Sequence, residues 1–496
     1  MRLEELEAAM PGVRRLWGSG ADITGIAYHS SRVTPGGLFA AVPGFVTDGH
    51  RFIGEALERG ARALLLQDPG RLPEGVPEDV AVLQAEDVRA ALALASDRFF
   101  GHPSGRMKLV GVTGTNGKTT TAFLLESIFR EAGMGAGLLG TVSYRVNGRE
   151  MPVSRTTPEA PDLQCMLARM ADEGVEAAAM EVSSHALDLH RVDGCEFAAA
   201  VFTNLSQDHL DWHGNMESYY LSKRRLFLPP AGSGLTTGAA AVNLDDPYGR
   251  RLQEEMGGKA FTYGAKGRCD LTGRILELGL KGIRVEMAHE GRKVDFRAGL
   301  AGAFNLYNML AAASAALLLG LDLEEAVEGI RACPGVPGRF QLVEEGQDFA
   351  VVVDYAHTPD SLAQAIRAAR EVSRGRVITV FGCGGDRDRA KRPLMGRHAA
   401  ELSDHTLVTS DNPRSEDPLA IMAEIEAGIR EAKEGASYES VEDRREAIRR
   451  ALRMAGPGDV VLIAGKGHEQ GQVFADRTVP FDDYQVASEI LRELGG

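Results

Sequence analysis

Leu109-Val-Gly-Val-Thr-Gly-Thr-Asn-Gly-Lys-Thr-Thr-Thr121 is the stretch on which the fold turns. The apolar run Leu109 to Val112 reads as a buried strand and Gly114-Thr-Asn-Gly117 as a tight turn. Lys118-Thr119-Thr120 then opens an amphipathic helix carrying Leu124, Leu125, Ile128 and Phe129. Strand, glycine turn and helix in that order make a cradle for an anion. Backbone N–H groups converge on it, the helix start adds partial positive charge, Lys118 reaches the outer phosphates, and Thr119 offers a hydroxyl to Mg²⁺. A nucleoside triphosphate site is therefore expected at Gly114, Thr115, Asn116, Gly117, Lys118, Thr119 and Thr120. The strict G-x-x-x-x-G-K-[ST] spacing is not met, because Val112 stands where the first glycine belongs, so the loop is a variant. An ordinary strand-to-helix turn would account for the glycines but not for a lysine followed by three threonines.

A chain of 496 residues exceeds one core, so several domains are expected. Its 44% hydrophobic and 25% charged residues are those of a globular protein, and the net charge of −15 argues against nonspecific nucleic-acid binding and against an anionic membrane surface. Anionic substrates must then be held by locally clustered cations. The opening Met1-Arg-Leu-Glu-Glu-Leu-Glu7 lacks a basic start and apolar run, and no stretch is long enough to span a bilayer, so a cytoplasmic protein is expected. Five scattered cysteines without a C-x-x-C pair argue against a disulfide framework or a zinc site.

Residues 1 to about 105 mix short strands and helices, with Val88 to Phe100 as a helix ending before His102-Pro-Ser-Gly105, the first expected boundary. Ser30-Ser-Arg32 reads as a loop that either binds a phosphate or sugar or is plain surface. From Met107 to about 333, strands alternate with helices, as in a mostly parallel sheet around the phosphate loop. Ala177-Ala-Ala-Met180 leads into Glu181-Val-Ser-Ser-His185, and Ala198-Ala-Ala-Val-Phe202 leads into a polar run ending at His213. Ligands of open α/β sheets sit beyond the carboxyl ends of the strands, so Glu181 and His209 are candidate metal ligands beside Lys118, or else capping or solvated groups. Composition alone makes Lys223 a solvated lysine on a helix. Asn305 and Asn308 open an alanine-rich helix, where they cap it or hydrogen-bond a base.

Pro334-Gly-Val-Pro-Gly338 is the second expected boundary. Beyond it, four apolar strands at 349–354, 376–381, 405–410 and 459–464 alternate with helices, a second doubly wound unit, with Thr358 and Pro359 starting the helix 359–373. Each strand ends in polar residues: Asp354-Tyr-Ala-His-Thr-Pro359, Gly382-Cys-Gly-Gly-Asp-Arg387, Asp411-Asn-Pro-Arg414 and Gly465-Lys-Gly-His-Glu469. Together they form a binding rim. The Gly382 cluster lacks the spacing and the acidic residue of a dinucleotide site.

Taken in order, Gly114-Thr-Asn-Gly-Lys-Thr-Thr120, Glu181-Val-Ser-Ser-His185, Asn204-Leu-Ser-Gln-Asp-His-Leu-Asp211, Asp354-Tyr-Ala-His-Thr-Pro359 and Asp411-Asn-Pro-Arg414 resemble the Mur ligases, most closely the members that attach diaminopimelate in peptidoglycan precursor synthesis. The resemblance implies an α/β protein of three domains: residues 1–105 for the UDP end of a substrate, a central P-loop ATPase over 106–333, and a Rossmann-like amino-acid domain over 334–496. It implies that the γ-carboxylate of D-glutamate in UDP-MurNAc-L-Ala-D-Glu is phosphorylated by ATP and then attacked by the amine of meso-2,6-diaminopimelate. By the same resemblance Lys118, Glu181, His209 and Lys223 are catalytic; Thr119, Glu181, His209 and Lys223, the last as a CO₂-derived carbamate, hold Mg²⁺; and Asn308, Arg339 and Asp354 join the phosphate loop in binding ATP. Ser31, Thr156, Thr157, Ser184 and Arg191 are assigned to the muramoyl dipeptide, and Arg387, Asp411, Asn412, Pro413, Arg414, Gly465 and Glu469 to diaminopimelate, whose distal ammonium falls to Gly465 and Glu469. Leu189 departs from relatives with Gln before His-Arg. Small-molecule substrates, no nucleic acid, no membrane and a monomer are expected. Rival readings are a relative that adds lysine or glutamates to folate, and a noncatalytic P-loop switch.

Overall fold

The computed structural model describes residues 1–495 apart from 46, 154 and 433. Three large sheets follow one another along the chain, with a two-stranded ribbon of Gly471–Val473 and Thr478–Pro480 after them. The first has five strands in the order Arg14–Trp17, Ala81–Gln84, Ala63–Leu66, Leu38–Ala40 and Ile26–Ala27, parallel except for Arg14–Trp17. Ser30–Arg32, read as a loop, is a turn of 3₁₀ helix.

The second sheet has eleven strands. Lys108–Thr113 runs down its middle between Ala177–Glu181 and Glu196–Phe202, both parallel to it, and the parallel stretch extends from Ala136–Leu139 to Leu271–Gly279. Apolar runs buried on both faces give such strands, as the sequence indicates. The margins are different: Tyr144–Val146 with Arg149–Met151, and Gly282–His289 with Arg292–Ala298, are antiparallel. Their alternating charges, as in Arg292-Lys-Val-Asp-Phe-Arg-Ala298, suit strands wet on one face, which an expectation built on apolar runs passes over. Helix Lys118–Glu131 is buried along most of its length against helices Asn305–Leu318 and Leu323–Ala332. Gly329 permits that approach, since a Cβ there would lie 2.3 Å from Ile128 Cα.

The third sheet runs Gln341–Val343, Ala350–Asp354, Val460–Ala464, Val377–Phe381, His405–Val408, Tyr438–Ser440, parallel but for the first strand. Helix Pro359–Val372 begins as read, with Thr358 and Ser361 forming a capping box. The second and third sheets are tied by side chains as well as by the linker. Leu280, at the tip of the hairpin Gly279–Gly282, and Phe304 pack against the apolar core of the third sheet, and Lys281 Nζ lies 2.7 Å from Glu344 Oε1. Among the described residues no helix is long and apolar enough to cross a membrane.

Candidate active site

The carboxyl ends of the second and third sheets face each other across a cleft of about 250 Å³, lined by the phosphate loop on one side and by Arg339 and residues 354–358 on the other. The loop's shape is imposed by its neighbours. Gly114 has φ 146° and a Cβ there would sit 1.9 Å from Thr203 Oγ1. Thr115 N–H donates to Asn204 O at 2.9 Å, Asn116 N–H to Asn204 Oδ1 at 3.0 Å, and Thr203 Oγ1 to Asn116 O at 2.6 Å. With the backbone so fixed, Lys118 Nζ folds onto the carbonyls of Gly114 and Thr115, 2.8 Å from each. These are main-chain acceptors that phosphate oxygens would replace.

Lys223 is the main correction to composition. Far from being solvated, it is 1% exposed, donates to Gly114 O at 2.9 Å and lies 4.6 Å from the centre of the Tyr219 ring. Burial, with Lys118 alongside, pushes its pKa well below that of a free lysine. Glu181, equally buried, accepts from Thr119 Oγ1 at 3.0 Å, Thr141 N–H at 2.7 Å and Thr141 Oγ1 at 3.1 Å. Arg339 crosses from the linker to donate to Thr119 Oγ1 at 3.0 Å, while Asn116 Nδ2 reaches Asp360 Oδ2 at 3.0 Å. His209 takes a left-handed backbone, φ 53°, and stands edge-on to His185 with ring centres 4.8 Å apart; burial lowers its pKa to about 3. Among the described residues no three His, Cys, Asp or Glu side chains cluster as a metal site. The Thr119 hydroxyl and the Glu181 carboxylate, 3.0 Å apart, pair two oxygen donors at the loop.

Asn308 donates to Asn305 Oδ1 at 2.8 Å, and Asp354, its pKa raised by burial, accepts from Phe340 N–H at 2.6 Å and Ala356 N–H at 2.8 Å. Both line the cleft with Thr156 and Ser184. Thr157 and Arg191 lie behind it: Thr157 Oγ1 donates to Glu181 O at 2.8 Å, and Arg191 spans Thr157 O and Glu159. A second cavity, of about 280 Å³, is lined by Tyr28, Ser30, Phe39, Arg89, Glu159 and Leu189. Ser31 is exposed beside it, hydrogen-bonded to His29, and its neighbour Ser30 supplies the lining.

At the third sheet, Asp411, Asn412, Pro413, Arg414, Gly465 and Glu469 come together. Asn412 Nδ2 donates to Glu469 Oε2 at 2.7 Å, and Arg414, with φ 53°, donates to Gly385 O at 2.6 Å. Arg414 is half-buried; burial, with Arg387 nearby, lowers its pKa. Arg387 itself is exposed, bonded to Asp386 O. Residues that sequence reasoning passed over include Thr141, far in the chain from any residue it chose, and Tyr219, Lys466 and His468, each a few places from one. Tyr219 lies four residues before Lys223, the spacing of one helix face.

Three family models cover the chain in order: Mur ligase family, catalytic domain, over 22–100; Mur ligase middle domain, over 112–316; and Mur ligase, glutamate ligase domain, over 338–467. The chain belongs to the Mur ligase family. A Mur ligase of Solibacter usitatus, named UDP-N-acetylmuramoyl-L-alanyl-D-glutamate–2,6-diaminopimelate ligase, is 47% identical over 96% of this chain and 94% of its own. One of the same name from Geobacillus thermodenitrificans is 44% identical over 99% and 100%. A solved structure of a ligase of that name is similar at 31% identity, with a TM-score of 0.67 over 96% of each chain. The MurF ligase of Thermotoga maritima, solved in complex with ADP, shares the Mur ligase fold at 19% identity, with a TM-score of 0.63 over 95% of this chain and 97% of that one.

Proposed function

We propose that this Mur ligase uses ATP to join meso-2,6-diaminopimelate to the D-glutamate γ-carboxylate of UDP-MurNAc-L-Ala-D-Glu in peptidoglycan precursor synthesis. The observation that carries it is the phosphate loop facing Arg339 and residues 354–358 of the third sheet, whose other strand ends carry a polar rim with a half-buried guanidinium at Arg414. A carboxylate nearing a triphosphate meets repulsion, so phosphoryl transfer needs neutralisation and alignment more than covalent help. Lys118 supplies charge where the turn fixes it. The acyl phosphate so formed is displaced by the amine of the amino acid, giving an amide and phosphate. An arginine fork holds the distal carboxylate of diaminopimelate, and lysine would leave that fork unpaired.

The chemistry of the donors fits the groups the family implies. A hydroxyl and a carboxylate 3.0 Å apart, Thr119 and Glu181, are oxygen donors suited to Mg²⁺, which would supply charge to the phosphates; His209, held neutral, stands nearby. Burial shifts Lys223 toward its uncharged amine, the form that adds CO₂, and the resulting anion would face Lys118. We take the three units as 1–105, 106–333 and 334–496, the first binding the UDP end at the cavity of Tyr28 and Arg89, and the protein as a cytoplasmic monomer.

Amino-acid-dependent ADP release with the muramoyl dipeptide tests the reading: meso-diaminopimelate is the preferred amine. Arg414→Ala should raise its KM about tenfold to a hundredfold while sparing the KM for ATP. Preference for lysine, or ATP turnover indifferent to the dipeptide, would sink the assignment.

A further inference from the structure

Lys466 follows Gly465 at the end of strand Val460–Ala464, and its side chain is 0% exposed. Its Nζ donates to Asn412 Oδ1 at 3.0 Å and Glu469 Oε2 at 3.1 Å and lies 4.0 Å from Asp411 Oδ1. Asn412 closes the circuit, because its Nδ2 donates to the same Glu469 Oε2 at 2.7 Å while its Oδ1 also accepts from Val473 N–H at 3.0 Å. Both bonds to Glu469 therefore land on one oxygen. Oε1 has no hydrogen-bond partner among the described residues, and the side chain stays 32% exposed.

A fully desolvated ammonium is costly, and a buried ion pair is a poor device for stability alone. The side-chain acceptors that Lys466 serves belong to the amino-acid rim, not to the helices or sheet beneath it. Its own seat is fixed from below: Arg444, buried, donates to Ala464 O at 3.0 Å and to the two oxygens of Asp483 at 2.8 and 2.6 Å. Gly465, at φ 116°, has no room to move either, since a Cβ there would lie 2.5 Å from Asp411 Oδ2.

We infer that Lys466 is a positioning residue that sets amino-acid selectivity, holding Glu469 by one oxygen so that the other is aimed at the second ammonium of the incoming amino acid. This rests on the reading of diaminopimelate as that amino acid. Without Lys466 one of the two bonds to Glu469 is lost and its carboxylate samples other rotamers, so the distal ammonium is met by a group no longer preset.

The test compares meso-diaminopimelate with 2-aminopimelate, which keeps both carboxylates and the reacting amine but lacks the distal ammonium. ADP release by the full chain is measured for the wild type, Lys466→Met and Lys466→Gln. Wild type favours diaminopimelate. In both variants the ratio of the two kcat/KM values falls about tenfold or more, with a raised KM for diaminopimelate and an unchanged KM for ATP. A purely structural lysine would lower both amino acids alike and leave the ratio where it was; that result, or failure of both variants to fold by circular dichroism, overturns the inference. A wild type that does not use diaminopimelate at all sinks the functional reading instead, so the two failures are told apart.

Discussion

The phosphate loop and the proposed amino-acid rim treat their buried basic residues in opposite ways. At the phosphate loop, Lys118 and Lys223 share the carbonyl of Gly114, and their direct partners are main-chain oxygens. At the amino-acid rim, Lys466 is matched by Glu469 and Asp411, and Arg444 by Asp483, a pair with both side chains 0% exposed. On one side the lysines hydrogen-bond carbonyls and no carboxylate; on the other each cation is matched by an acid. A triphosphate and a carboxylate bring anions in excess, whereas a zwitterionic amino acid brings both signs and needs matched partners. In the proposed assignment the difference in wiring follows the difference in cargo.

Removing a cation from the phosphate loop should harm chemistry and leave the fold intact. Lys118→Met is expected to lower kcat about 10³-fold or more with little loss of melting temperature, because the lysine is hydrogen-bonded to carbonyls and to no carboxylate. A comparable drop in melting temperature would erase the contrast. Removing an acid from the balanced side should do the reverse. Asp483→Ala strands the Arg444 guanidinium in the core and should cost about 3–5 kcal/mol of stability, read by denaturant unfolding, while the folded fraction keeps far more of its kcat than Lys118→Met does. Taken over one pH unit, the smallest effect concerns the residues beside Arg339, where Tyr355 lies between His357 and His468, with ring centres 4.5 and 5.0 Å away. Burial first, then Lys391 for His357 and Arg339 for His468, lowers both imidazoles to about 4. An unfolded histidine takes up its proton near pH 6.5, so between that pH and 4 the unfolded chain binds protons that the folded one refuses. Stability therefore falls as pH falls through this window, by about 1.4 kcal/mol per pH unit for each imidazole. Melting curves of the wild type and a His357→Gln/His468→Gln variant check it; equal acid sensitivity would remove these two from the account.

Much of this was legible in the sequence. Apolar runs ending in polar clusters marked the parallel strands and their carboxyl ends, since a strand buried on both faces has to be apolar throughout, and Thr358-Pro359 announced its helix. The antiparallel margin at 282–298 escaped that reading because its outer face carries charge. Lys223 was misjudged on composition: a short helix rich in polar residues gives little sign of which face is buried, and only its spacing from Tyr219 hinted at it. Arg444 and Asp483 lie 39 residues apart, and nothing local couples them. Thr141 and Lys466 needed the fold: the acid that Thr141 serves lies 40 residues on, and Lys466, though close to Glu469 in the chain, is joined to it also through Asn412, 54 residues back.

The hairpin tip at Leu280 has a mechanical consequence. Swinging the C-terminal lobe away from the ATPase lobe must draw Leu280 and Phe304 out of an apolar seat into water, whereas the ion pair beside them, 80% and 58% exposed, resists little. Because the penalty for wetting hydrocarbon fades on cooling, this latch should slacken in the cold before either sheet does, making low temperature the condition under which the cleft gapes.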